Sequence, residues 1–98
     1  MELTREQVLS TLQQHRETLH GFGVERMGLF GSCARGDRSP NDLDFVVQWR
    51  TKSFDAYMEL KFFLEDLFHC PVDVVVDQAI KPRLRPQILR ELVDVPGL

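Results

Sequence analysis

The chain has 98 residues, 43% of them apolar, enough for one modest core, so residues 1–98 are expected to form a single domain with no room for a second. Its 12 Lys and Arg stand against 15 Asp and Glu, and a net charge of −3 disfavours a long nucleic-acid substrate. Cys33 and Cys70 lie 37 positions apart, outside any metal-like spacing, and read as free thiols rather than zinc ligands. Residues 1–10 contain no apolar signal core, and no uncharged apolar run approaches the ~18 residues of a membrane span. A cytoplasmic location is the expectation.

The first helix opens with a capping box, Thr4 as N-cap and Gln7 three residues inside, with Leu3 and Val8 spaced for a hydrophobic staple. Val8, Leu12, His15 and Leu19 recur at helical spacing as a core-facing stripe, and Gly21 and Gly23 end the helix. Val24 to Phe30 reads as a strand that enters Gly31-Ser32, after which Cys33-Ala34-Arg35 can form one short helical turn closed by Gly36. Asp37 to Asn41 is a polar loop containing Pro40. A second strand, Leu43 to Gln48, has the Phe45-Val46-Val47 run of a largely buried element. Ser53 can cap a helix from Phe54 to about Phe68, and Cys70-Pro71 leads into a third strand, Val72 to Val76. A tail with Lys81-Pro82-Arg83-Leu84-Arg85-Pro86 precedes a short closing helix near Gln87 to Leu92. The expected class is α+β, a small β-sheet flanked by helices in the order α-β-α-β-α-β.

Three pieces of this pattern can carry chemistry. Where the first strand leaves through Gly31-Ser32, free backbone N–H groups converge and can bind an anion. Gly31 would let a phosphate approach the backbone, the Ser32 hydroxyl could donate, and Arg35 or Arg38 could neutralise phosphate charge. The alternative is an ordinary strand-to-helix turn with Ser32 as its cap. Asp42 and Asp44, two apart on the leading edge of a strand, share a face, and two such carboxylates resist joint ionisation unless a cation sits between them. Hard oxygen ligands of this kind suit Mg²⁺ shared with substrate phosphates, although both aspartates could instead belong to a solvated turn. Asp73 interrupts an apolar strand; either it joins Asp42 and Asp44 in a two-metal cluster or it faces water from an edge strand. Asp77 reads as a turn residue. Combined, the three pieces imply in-line phosphoryl transfer.

Gly31-Ser32-x-Ala34-Arg35-Gly36 followed by Asp42-x-Asp44 resembles the minimal nucleotidyltransferases of the DNA polymerase β superfamily, and Asp73 stands where that family has its third carboxylate. The tail from Lys81 to Arg85 and the helix around Ile88 to Glu91 are similar to the antitoxins of HEPN/MNT toxin–antitoxin pairs, so the resemblance spans nearly the whole chain. It implies a polymerase β-like fold with a small mixed sheet in a cytoplasmic prokaryotic protein. It further implies Asp42, Asp44 and Asp73 as metal-binding and catalytic residues with one or two Mg²⁺, and Gly31, Ser32 and Arg35 at the triphosphate of ATP or another nucleotide. The partner implied is a HEPN ribonuclease toxin, neutralised by transfer of AMP. Two positions depart from the pattern: the loop before Asp42 is one residue shorter, and Asn41 stands where Ser is usual.

The Phe54 to Phe68 helix carries a wider apolar arc than one sheet face requires, so part of it faces either a second chain or a core that wraps it on several sides. Lys81, Arg83, Arg85 and Arg90 form a basic run that either meets an acidic partner, phosphates or RNA, or is simply solvated. His15, His20 and His69 receive no catalytic role. The leading expectation is an antitoxin that adenylylates its toxin. The alternatives are neutralisation by binding alone, and a free-standing enzyme modifying a small molecule, which the lack of an acceptor domain disfavours.

Overall fold

A computed structural model describes residues 3–37, 41–50 and 53–98. The roles considered for Arg38 and Pro40 lie outside those residues. The order is α1 (Arg5–Gln14), α2 (Arg16–Gly21), β1 (Val24–Phe30), β2 (Leu43–Trp49), α3 (Phe54–Phe68), β3 (Val72–Val76), a 3₁₀ turn (Asp77–Ala79), α4 (Arg85–Glu91) and β4 (Val93–Asp94).

The capping box forms: Thr4 Oγ1 accepts from the Gln7 N–H at 3.2 Å, and Gln7 Oε1 accepts from the Thr4 N–H at 3.1 Å. The helix then departs from the single element expected. At His15 the ring Nδ1 sits 2.9 Å from the Thr11 carbonyl, to which the His15 N–H would donate in a continuous helix. That N–H turns to Leu12 O instead, and the chain restarts as α2. Val8, Leu12 and Leu19 of the expected stripe are fully buried, whereas His15 is only half-buried.

The sheet is mixed, in the order β3-β2-β1-β4. β1 pairs antiparallel with β2 and with β4, and β2 pairs parallel with β3 through the α3 crossover. The odd-numbered residues of β2, Leu43, Phe45, Val47 and Trp49, face the helices and join Val8, Leu12, Leu60 and Leu64 in the core. Trp49 also donates its indole N–H to Phe22 O at 2.7 Å, which satisfies its one polar atom. The opposite face carries Asp44 and Asp73, and farther along β1 and β2 a cleft of about 300 Å³ lined by Gly28, Val46, Gln48, Leu89 and Leu92.

α3 is capped by the Ser53 hydroxyl, which accepts from the Ala56 N–H at 3.1 Å, and it ends on His69 in a left-handed conformation with φ 56°. Leu60, Leu64 and Phe68 are buried, but Phe54 and Phe62 are 76% and 55% exposed. The core therefore does not wrap the whole apolar arc. β4 was not expected from the sequence: it has two residues, and its pairing with Gly28 and Leu29 is wholly tertiary. Among the described residues, no helix is long and apolar enough to cross a membrane.

Candidate active site

β2 and β3 run parallel in a register that puts Asp44 opposite Asp73, while Asp42 lies two residues ahead of Asp44 on the same side. Ligand oxygens of all three carboxylates lie within 4.8 Å of one another. Asp73 is exposed on an edge strand, and from there its carboxylate still lies beside those of Asp42 and Asp44.

Asp44 is the most enclosed member. Burial pushes its carboxyl up from 3.8 to about 6, helped by the charges of Asp42 and Asp73 and by a hydrogen bond with Asp73, with Arg35 pulling the other way. The charges of Asp42 and Asp73 disfavour the ionised form of Asp44, and the arrangement favours a proton or a cation between the three carboxylates. Mg²⁺ fits on the chemistry of the donor set: hard carboxylate oxygens, converging, with an open side toward solvent for phosphate and water ligands.

Gly31 ends β1 against this cluster. Its φ is +80°, and a Cβ there would overlap Asp44 Oδ2. The following residues make one tight turn, with the Arg35 N–H on Gly31 O and the Asp37 N–H on Ser32 O, each at 3.1 Å. Among the described residues no helix continues from it, so the expected short helical element amounts to this turn and a helix dipole contributes little. The N–H groups of Ser32, Cys33 and Ala34 donate to no backbone carbonyl among the described residues, and they remain the donors an anion would meet. Cys33 fixes the turn from below as a fully buried side chain, and burial pushes its thiol up, as it does that of Cys70; both are free.

Arg35 points away from the simplest expectation. Its guanidinium pairs with Glu91 of α4, Nη1 to Oε1 at 3.0 Å. On the other side of the turn, Arg5 Nη1 donates to Ala34 O at 3.1 Å. Neither Glu91 nor Arg5 is recognisable as part of the site from spacing, because the contacts span 56 and 29 positions. In the basic run, Arg85 is structural: it donates to both the carbonyl and the carboxylate of Asp77, at 3.1 and 2.9 Å, whereas Lys81, Arg83 and Arg90 are exposed.

The family model for a nucleotidyltransferase domain matches residues 9–95. Protein adenylyltransferase MntA of Thermococcus cleftensis is 35% identical over 96 residues, covering 95% of this chain and 97% of that protein. A solved structure of a minimal nucleotidyltransferase superposes with a TM-score of 0.78 at 31% identity, covering 93% of this chain and 95% of the other. At 21% identity, a chain from the complex of tri-AMPylated Shewanella oneidensis HEPN toxin with MNT antitoxin shares the fold, with a TM-score of 0.67 over 91% of this chain and 71% of its own length.

Proposed function

The chain belongs to the nucleotidyltransferase domain family, and from that premise we propose that it is a Mg²⁺-dependent protein adenylyltransferase, moving AMP from ATP to a hydroxyl of a HEPN-type toxin and so acting as its antitoxin. The observation that carries the reading is the convergence of Asp42, Asp44 and Asp73 within 4.8 Å, beside a turn whose Ser32, Cys33 and Ala34 N–H groups donate to no backbone carbonyl among the described residues.

Asp42, Asp44 and Asp73 would hold Mg²⁺, which when bound neutralises the triphosphate and acidifies the attacking hydroxyl. The N–H groups after Gly31 bind the phosphates, and the missing Cβ of Gly31 leaves the space that the Asp44 carboxylate occupies in the cluster. Asp73, exposed on the edge strand, faces an acceptor arriving from another molecule and takes the proton released as its hydroxyl oxygen bonds to the α-phosphorus. The bond from the α-phosphorus to the bridging oxygen breaks, and pyrophosphate leaves.

A separate acceptor protein is also supported by α3. Phe54, Met58 and Phe62, spaced four apart, form one ridge, and the exposed carboxylates Asp55 and Glu59 form the next. Exposed aromatic side chains in such a row are a contact surface for another chain.

The test is the intact mass of the protein that co-purifies with this chain, cleared of existing adducts by phosphodiesterase and then given Mg²⁺ and ATP. The expected result is a gain of one or more AMP units, absent with Asp44→Asn. A tight complex whose mass never changes would replace transfer by neutralisation through binding alone.

A further inference from the structure

The carboxylate of Glu91 occupies an unfavourable place. It is the last residue of α4, where the helix end is electronegative and a cation would be stabilised instead. Its side chain is also only 22% exposed, so water compensates it incompletely. Local conflicts of this kind persist where they serve a site, and here, among the described residues, the carboxylate pairs with the guanidinium of Arg35 at 3.0 Å.

We propose that Glu91 is a positioning residue for triphosphate binding: it holds one edge of Arg35 above the Gly31–Gly36 turn and leaves the remaining guanidinium donors to the phosphate oxygens. The inference rests on the nucleotidyltransferase reading given above and assigns Glu91 a part in it.

The surrounding geometry is that of an anchored strut. Arg85 ties the start of α4 to Asp77 through two hydrogen bonds, and the residues after α4 pair with β1 as β4. Gly28 lacks the Cβ that would stand 2.5 Å from Leu92 Cδ1, so the end of α4 settles directly on the sheet. Glu91 therefore has a fixed position relative to β1, and β1 leads straight into the turn. Arg5 fixes the opposite side of that turn through Ala34 O. Arg35 itself remains 55% exposed, close enough to Asp44 to favour its ionised form, and its five donors are only partly used by Glu91. A long, flexible arginine held at one edge loses less freedom when it meets a phosphate, which is how preorganisation raises affinity.

The test measures binding of Mg²⁺ with α,β-methylene-ATP, which cannot donate AMP, to the wild-type chain, Arg35→Gln, Glu91→Gln and the double variant. Each single variant is expected to weaken binding roughly tenfold, and the double variant to bind no worse than Arg35→Gln, because Glu91 acts through Arg35. Affinity for AMP, which lacks the β- and γ-phosphates, is expected to change less than about twofold. Glu91→Gln binding like wild type, or a further loss when it is added to Arg35→Gln, would overturn the proposal while leaving the enzyme reading standing. Wild-type protein that binds no nucleotide would overturn both. Arg35→Lys gives an independent check with Glu91 and α4 left in place: a lysine cannot meet carboxylate and phosphate from two edges, so binding equal to wild type would also refute the role.

Discussion

Gly31 and Asp44 share one space: the position a side chain at Gly31 would fill is taken by the Asp44 carboxylate. The glycine is required twice over, once by its φ of +80° and once by this contact. Gly31→Ala is accordingly expected to destabilise the protein by roughly 1–3 kcal/mol and to push the Asp44 carboxylate out of the cluster. Thermal unfolding reads the first effect. Loss of AMP transfer by more than about a hundredfold reads the second, since an ångström of misplacement is costly at a reacting centre. An alanine variant with near-normal transfer would show that Asp44 tolerates displacement.

The raised Asp44 carboxyl makes a pH prediction with an unusual sign. Below its ordinary value of 3.8 the group is protonated whether the chain is folded or unfolded, so it contributes nothing. Between 3.8 and about 6 the unfolded chain ionises while the folded chain keeps its proton, and stability falls as pH rises. Above about 6 the full penalty is present. That gap corresponds to ~3 kcal/mol, and water at this open site reduces it to ~1–2 kcal/mol. Without divalent cations, Asp44→Asn should therefore be more stable than wild type at pH 7.5 by about that amount and show no difference near pH 3.5. Added Mg²⁺ should raise the wild-type melting temperature more at pH 7.5 than at pH 5, and that of Asp44→Asn little at either. A wild-type chain as stable as Asp44→Asn at pH 7.5 without metal would argue against a carboxyl raised by burial and by the neighbouring charges.

The site was legible in the sequence to the extent that local spacing determines it. Asp42 and Asp44 share a face by the two-residue repeat of a strand, and Gly31-Ser32 announces the turn. Asp73 needed more, because its place beside Asp44 comes from the parallel register of β2 and β3, and neither strand alone states that register. The elements that sequence could not show depend on tertiary contacts or on one side chain competing with the backbone. At His15 a well-patterned helix stops and restarts with the ring Nδ1 2.9 Å from the Thr11 carbonyl, and β4 pairs along the edge that β1 offers. Arg35 was placed in the right turn, but its link to Glu91 spans 56 positions and leaves no periodic trace.

The exposed ridge on α3 gives a prediction that separates folding from recognition. Phe54 is 76% exposed, so Phe54→Ser removes little buried area and is expected to leave the melting temperature nearly unchanged. If the ridge meets the acceptor protein, the same substitution should weaken the complex by at least about tenfold, the effect of losing an aromatic anchor at an interface. Pull-down of the purified partner at graded concentrations measures it. Unchanged affinity for Phe62→Ser and for Phe54→Ser would move the contact surface elsewhere.

Gly28 bears on both stability and the site. A Cβ at this position would stand 2.5 Å from Leu92 Cδ1, 2.9 Å from Leu92 Cγ and 3.3 Å from Val93 O, and a leucine tip can retreat only partly before the backbone of β4 must follow. Gly28→Ala is expected to cost about 1–2 kcal/mol, or roughly 5–10 °C in melting temperature for a chain of this size. The displaced segment carries Glu91, so the variant should also loosen the Glu91–Arg35 pair, whereas Val93→Ala on β4 removes contacts without pushing α4 away. Comparing the two variants at equal loss of stability isolates the position of α4. Weaker Mg²⁺-nucleotide binding in Gly28→Ala alone would tie that position to the phosphate site, and equal binding in both would limit Gly28 to packing.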